Sequence, residues 1–169
     1  SCNPDLLILD EPTTGLDVTT QAKIMDLISD LKDQRNTSIL LITHDLGVIA
    51  ETTDRVCILY AGEIMERGDT ETVFTRPSNP YTRGLLSARP SLDDDEINGI
   101  PGTLPDLHNV PSGCIFAERC EFATDDCTNG HVPEHSIDAD QSSRCLHWEH
   151  VRDSPVDSMR TERKGYSPG

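Results

Sequence analysis

"LLILDEPTTGLD", Leu6 to Asp17, sets an aliphatic run against two adjacent carboxylates and then a Pro-Thr-Thr-Gly turn. A short uninterrupted apolar run is the pattern of a parallel strand buried on both faces. Pro12 cannot extend a ladder, so the chain turns there. In open α/β sheets the ligand crevice lies at the carboxyl ends of the strands, which puts Asp10 and Glu11 where a bound metal and a substrate would be. Asp10, still in register with the strand, is suited to hold Mg²⁺ directly or through water. Glu11, one residue further out, is suited to polarise a water for attack on a phosphoryl group. A buried strand ending on solvated acids explains "LILDE" alone equally well. The following residues shift the balance: Gly15 makes a tight turn, Asp17 stands immediately before a helix, and "LLITHD" places His44 at the end of the next buried strand. There an imidazole faces the same crevice as Glu11 and can hydrogen-bond a terminal phosphate.

Outward from this stretch, the sequence alternates strand and helix. "VTTQAKIMDLISDLKDQRN" carries Ile24, Leu27, Ile28 and Leu31 on one face of an amphipathic helix. "TSILLIT" reads as a second buried strand, "DLGVIAE" as a short helix capped by Asp45, and "RVCILY" as a third strand. "YAGEIMERG" reads as a hairpin turning on Ala61 and Gly62. Strands alternating with helices predict an α/β layer fold with a parallel-sheet core. "DTETVFTRPSNPYTRGLLSARPSL" then predicts two short helices around a Pro-, Ser- and Asn-rich turn, and the stretch from Asp93 to Gly113, with Pro101, Pro105 and Pro111, an extended linker.

Composition bounds the function. Asp plus Glu number 30 against 14 Lys plus Arg, a formal net charge of -16, and such a field repels a nucleic-acid backbone. Three of the basic residues are lysines, Lys23, Lys32 and Lys164. An Asp-rich, lysine-poor surface suits a salt-loving, halophilic cytoplasm, where screening removes self-repulsion. The apolar runs fall far short of the roughly 20 residues a bilayer span needs, and no basic-then-apolar segment reads as a signal peptide.

Of six cysteines, Cys114, Cys120, Cys127 and Cys145 crowd into one region, separated by five, six and 17 residues. Clustering of this kind favours metal ligation over a disulfide scaffold. The spacing is neither the C-x-x-C knuckle of common zinc sites nor the C-x-x-C-x-x-C run of bacterial ferredoxins. Residues 114–147 show little periodicity, so their order is expected to come from a metal or crosslink. Arg119 and Arg144, each directly before a cysteine, are placed to offset thiolate charge. His131, His135, His147 and His150 are read as surface residues.

"LLILDEPTTGLD" resembles the Walker B strand, catalytic glutamate and D-loop of ATP-binding cassette (ABC) ATPases, and "LLITHDLGVIAETTDRVCILYAGEIMERG" their switch-histidine region and following hairpin. The resemblance implies a P-loop NTPase fold, with Asp10 coordinating Mg²⁺, Glu11 as general base, Asp17 at a dimer interface and His44 as switch histidine, acting on ATP. No "G-x-x-x-x-G-K-[ST]" P-loop, Gln loop or "LSGGQ" signature occurs in these residues. Ser1 therefore reads as a cut inside the nucleotide-binding domain, and this chain alone is expected to be inactive.

"VFTRPSNPYTRGLLSARPSL" and "GIPGTLPDLHNVPSGCIFAERCEFATDDC" resemble the oligopeptide and dipeptide importer branch, with its "HPYT..LL.A.P" and "IPG..P.L...P.GC.F..RC" patterns; Asn79 stands in the histidine's place. The resemblance implies a [4Fe-4S] cluster on Cys114, Cys120, Cys127 and Cys145, with zinc as the alternative. The expected organisation is a partial nucleotide-binding domain over 1–75, a helical connector over 76–92, a Pro-rich linker over 93–113, the cysteine extension over 114–150 and a disordered tail over 151–169. Expected partners are membrane permease subunits, a second ABC ATPase subunit and, indirectly, an extracellular substrate-binding protein, but no nucleic acid. The expected place is the cytoplasmic face of the membrane, as a peripheral subunit. Two rival readings are a non-transport ABC ATPase of the DNA-repair or translation type, and a metal-binding regulatory module without ATPase activity.

Overall fold

A computed structural model of the chain describes residues 4–35, 37–88 and 99–154. The acidic opening of the expected linker, most of the expected tail and Cys2 lie outside the described residues. The chain divides into two compact units, residues 1–53 and 54–169.

In the first unit, β1 (Leu6–Asp10), α1 (Val18–Arg35), β2 (Ser38–Ile42) and α2 (Leu46–Thr52) follow in order. β1 pairs with β2 in parallel, Leu6 opposite Ser38 through to Asp10 opposite Ile42. Side chains alternate across a strand. Leu7, Leu9, Ile39 and Leu41 are accordingly half-buried on one face, whereas Leu6, Ile8, Leu40 and Ile42 are each about half exposed on the other. The expectation of strands buried on both faces is thus corrected, because this unit covers one face only. In α1, Ile28 is buried and Ile24 and Leu31 are half-buried, while Leu27 is exposed, so the predicted apolar face is narrower than its spacing suggested. α2 starts as expected: the Asp45 carboxylate accepts hydrogen bonds from the backbone of Gly47 and Val48.

The second unit opens with the antiparallel hairpin β3 (Arg55–Tyr60) and β4 (Glu63–Asp69). Ala61 and Gly62 both hold positive φ, 49° and 87°, which turns the chain with the twist that two-residue hairpins prefer. α3 (Thr70–Thr75) and α4 (Pro80–Ser87) are the two predicted short helices. Beyond them come α5 (Asp125–Thr128), β5 (His135–Ser136), β6 (Ser142–Ser143) and α6 (Trp148–Asp153).

"RVCILY" is not the third strand of a parallel sheet, contrary to expectation. It lies in a four-stranded antiparallel sheet of order β3-β4-β6-β5, so the fold is α/β with two sheets of different kind. Nor do residues 114–147 lack internal order. Ile115 and Phe116 pack with Tyr60 and Met65 of the hairpin, and the Phe116 ring meets Tyr60 edge-on at 5.3 Å. β6 pairs with β4, Glu66 opposite Ser143 and Arg67 opposite Ser142. These contacts come from apolar burial and strand pairing, which is why a segment without periodicity still has a defined place.

Among the described residues no helix is long and apolar enough to cross a membrane.

Candidate functional site

β1 ends at Asp10, whose exposed carboxylate follows the strand as predicted. Glu11 still donates its backbone N–H to the Ile42 carbonyl of β2 at 2.9 Å. Its φ is nonetheless +47°, a left-handed conformation that is uncommon for a non-glycine residue and costs about 1–3 kcal/mol. Pro12 then carries the chain away from the ladder, and the Thr14 N–H closes the turn on the Glu11 carbonyl at 3.2 Å.

The parallel pairing of β1 and β2 brings His44 to Glu11 across 33 residues of sequence. His44 Nδ1 lies 2.8 Å from Glu11 Oε1. The Thr14 hydroxyl donates to the other oxygen, Oε2, also at 2.8 Å. The hydrogen bond from His44, and then that from Thr14, hold the Glu11 carboxyl below the usual carboxylate range. The same hydrogen bond and the carboxylate charge raise His44. Both shifts favour an imidazolium on a carboxylate, the form in which each group steadies the other. His44 is not on β2 itself but in the loop before α2, with its side chain 81% exposed.

Asp17 lies just before α1 and caps its first turn. Its carboxylate accepts from the Thr20 N–H at 3.0 Å and from the Thr20 hydroxyl at 2.7 Å, which lowers its pKa. Asp10, Glu11, Asp17 and His44 thus all belong to the loops that leave the two parallel strands or to the strand end itself. Sequence reasoning missed Thr14, whose spacing of three from Glu11 matches the turn that Pro12 begins.

The second candidate site belongs to the second unit. Cys114, Cys120, Cys127 and Cys145 all line one cavity, together with Met65, Asn79, Phe116 and His147. All four are free thiols. Burial pushes Cys114 upward and Cys120 and Cys145 up to about 12, so these three are protonated at neutral pH. Among the described residues, no three or more His, Cys, Asp or Glu side chains stand in an arrangement that would hold a metal ion. The four sulfurs share a cavity without closing on a common point.

His147 is not a free surface residue. It is half-buried in the cavity wall, its N–H donates to Cys145 Sγ at 3.3 Å, and its ring Nε2 meets the Thr124 hydroxyl at 3.0 Å. The two arginines serve backbone carbonyls rather than sulfur. Arg119 donates to Pro101 and Ile100 at 2.8 and 2.9 Å and to the Tyr60 hydroxyl at 3.0 Å, and Arg144 donates to Val132 at 2.9 Å and Ile64 at 3.2 Å. Asn79, the residue that departs from the importer pattern, is fully buried in the same wall. It caps α4 through the Tyr81 N–H at 3.0 Å and donates to the carbonyls of Met65 at 2.9 Å and Arg144 at 3.2 Å.

Residues 65–127 match the family described as oligopeptide/dipeptide transporter, C-terminal region. The chain is homologous to the C-terminal region of oligopeptide and dipeptide ABC-transporter ATP-binding subunits. Residues 1–50 also match an AAA-domain family whose description adds a provisional AbiEii toxin of a type IV toxin–antitoxin system. An oligopeptide transport ATP-binding protein of Bacillus subtilis, AppD, is 46% identical over 88% of this chain and 46% of its own length. OppD, the oligopeptide transport ATP-binding protein of Haemophilus influenzae, is 52% identical over 75% of this chain and 40% of its own. A Brucella ovis protein provisionally named a peptide import ATP-binding protein is 46% identical over 89% of this chain and 47% of its own. The chain spans about half the length of the curated relatives it matches. Among solved structures, cbiO1 of Clostridium perfringens, part of the ABC transporter complex cbiONQ, matches 43% of this chain and 29% of its own at 33% identity and a TM-score of 0.40.

Proposed function

We propose that this chain is the hydrolytic part of an ATPase subunit that drives import of di- or oligopeptides through a membrane permease, working at the cytoplasmic face with a second ATPase subunit. The observation that carries the reading is the Glu11–His44 pair at 2.8 Å, at the carboxyl ends of two parallel strands, in a chain homologous to peptide-import ATP-binding proteins. Glu11 takes the proton of the attacking water as the water oxygen bonds to the terminal phosphorus and the bond to the ADP oxygen breaks. His44 meets Glu11 through Nδ1, which leaves its second ring nitrogen to bond the terminal phosphate. Asp10 would hold Mg²⁺, which neutralises phosphate charge when bound. Asp17 caps the helix that follows the loop and is assigned to the subunit interface.

Hydrolysis by the complete subunit bearing this sequence is the test. Glu11→Gln is expected to abolish turnover while ATP binding persists, because the amide keeps the shape and loses the base. Turnover that survives this change would remove Glu11 from the mechanism. The same assay on residues 1–169 alone is expected to show no turnover.

The four cysteines are assigned to a [4Fe-4S] cluster, with zinc second. The donor chemistry fits, since four thiols separated in sequence line one largely apolar cavity, but binding has to draw them inward. It also has to displace their protons, so loading is expected to release acid and to strengthen as pH rises. Iron and sulfide analysis of anaerobically prepared protein checks this, and replacement of Cys120 or Cys145 by Ser is expected to abolish incorporation. Zinc in place of iron would reverse the order of the two metals.

A further inference from the structure

We propose that Thr124, backed by His147, is a positioning residue of the cysteine site: its hydroxyl donates to Cys127 Sγ and ties that sulfur to the segment carrying Cys145. The inference rests on the reading of the four cysteines as metal ligands. Thr124 precedes α5 and His147 precedes α6, each at the N-cap position, and neither side chain caps its helix. A threonine there ordinarily bonds an amide of the first turn, and forgoing that bond costs helix stability. The Thr124 hydroxyl lies 3.6 Å from Cys127 Sγ and 3.0 Å from His147 Nε2. The His147 backbone N–H in turn donates to Cys145 Sγ at 3.3 Å. Two side chains that leave their own helices uncapped thus join two sulfurs of separate segments.

This chain of contacts takes a definite sense in the thiolate form that binds metal. A thiolate accepts and cannot donate, so the Thr124 proton points at Cys127. The hydroxyl oxygen then faces His147 with lone pairs only, and the ring presents Nε2–H to it. Donors aligned in this way polarise one another, so the ring strengthens a contact that it does not itself make. The arrangement supplies what the two arginines do not. Arg119 and Arg144 are turned to backbone carbonyls, whereas Phe116 and Phe122 bring backbone N–H groups to Cys114 and Cys120. Each of the four sulfurs is therefore met by a hydrogen-bonding group. On Cys114, Cys120 and Cys145 that group is backbone; on Cys127 it is a side chain, open to substitution. Hydrogen bonds to sulfur set the potential of an iron–sulfur centre and the affinity of a zinc site.

Thr124 is exposed, so its side chain contributes little packing and the hydroxyl can be tested apart from the methyl group. Thr124→Val removes the hydroxyl and keeps the shape; Thr124→Ser keeps the hydroxyl and removes the methyl. The 169-residue chain, prepared anaerobically with iron and sulfide, is read by metal content and by redox titration followed by EPR. The midpoint potential is expected to fall in Val, because a donor to sulfur favours the more negative, reduced state, and to stay at the wild-type value in Ser. His147→Ala is expected to lower it by less, and to add nothing in the Val background, since the ring acts through the hydroxyl. A Val variant with the wild-type potential, or a Ser variant shifted as far as Val, overturns the proposal. So does a His147→Ala variant that takes up no iron while Val does, which would make the ring a ligand. If Val takes up no iron, uptake by Ser supports the assignment and failure of both overturns it. If the wild-type chain takes up zinc in place of iron, competition with a chelator is the readout: Val is expected to bind about 10–100-fold more weakly, and equal affinities overturn the proposal. A wild-type chain that takes up neither metal removes the ligand reading and this proposal with it, so wild-type metal content tells the two failures apart.

Discussion

At the scale of single residues, the exposed His44–Glu11 pair makes a prediction with a definite sign. His44 is raised above 6.5 in the fold, so its contribution is complete below 6.5 and is lost as pH climbs through the raised value. Glu11 is lowered below 4.5, so its contribution is complete above 4.5 and is lost as pH falls through the lowered value. The pair is therefore intact at least from pH 4.5 to 6.5. Proton NMR of the His44 ring is expected to give a midpoint above 6.5 that returns toward 6.5 in Glu11→Gln; an unchanged midpoint means the two side chains do not meet in solution. Asn79 makes the second prediction. Its amide holds β4, α4 and the residue before Cys145 together, so Asn79→Ala removes the cap of α4 and a side-chain donor from the Met65 and Arg144 carbonyls, and is expected to cost about 2 kcal/mol by chemical denaturation. Asp10, Glu11, Asp17 and His44 were legible in sequence because they sit at strand ends and turns, where linear spacing fixes position. Asn79 and His147 were not, because their partners lie 65 residues away for Arg144 and 23 residues away for Thr124.

Secondary-structure elements were legible where a local rule produced them: the apolar run of β3, the hairpin turn at Ala61 and Gly62, the Asp45 cap of α2. The sheet to which each strand belongs was not. β6 is two residues long and pairs across 75 positions with Arg67 of β4, and no periodicity can appear in two residues. Its place depends on tertiary contacts, which can be tested at the element level. A Cβ on Gly113 would fall 2.3 Å from the Cys127 carbonyl oxygen, where the Cys114 N–H reaches that same oxygen at 2.7 Å. Gly113→Ala is expected to part the two cysteine-bearing segments and destabilise the second unit by about 2 kcal/mol or more, read by the fluorescence of Trp148, the chain's one tryptophan. Within β4, burial raises Glu66 above 4.5, against hydrogen bonds from the Ser78 N–H and the Gln141 amide. A raised carboxyl favours the fold below 4.5, and this contribution disappears as pH rises through the higher folded value. Glu66→Gln is expected to flatten that decline and to be more stable than wild type at alkaline pH, whereas parallel pH curves would show that Glu66 ionises as freely in the fold as outside it.

Over the whole molecule, the charge of -16 sets two electrostatic effects against each other as salt is added. Arginines are paired with acids, the exposed Arg67 with Glu134 and Arg55 with Asp140, and the half-buried Arg152 with Asp138. Screening weakens such pairs, each worth about 0–1 kcal/mol at a surface. It also weakens repulsion among the acids, of which there are 30 against 14 basic residues, so most carboxylates have like-charged neighbours and no cation to lose. At low salt the Debye length is about 30 Å at 0.01 M and repulsion reaches across each unit; at 1 M it is about 3 Å and only contact pairs still interact. Repulsion acts over many pairs and attraction over few, so the balance favours stabilisation. The melting temperature is expected to rise with KCl from 0.01 to 1 M, and by the same amount with NaCl, because screening does not depend on which monovalent cation supplies it. A rise with sulfate but not chloride would trace the effect to exclusion from apolar surface, which the half-exposed Leu6, Ile8, Leu40 and Ile42 face provides. A flat or falling curve would mean that the arginine pairs outweigh the excess acid, and the salt-adapted reading of the surface would be wrong.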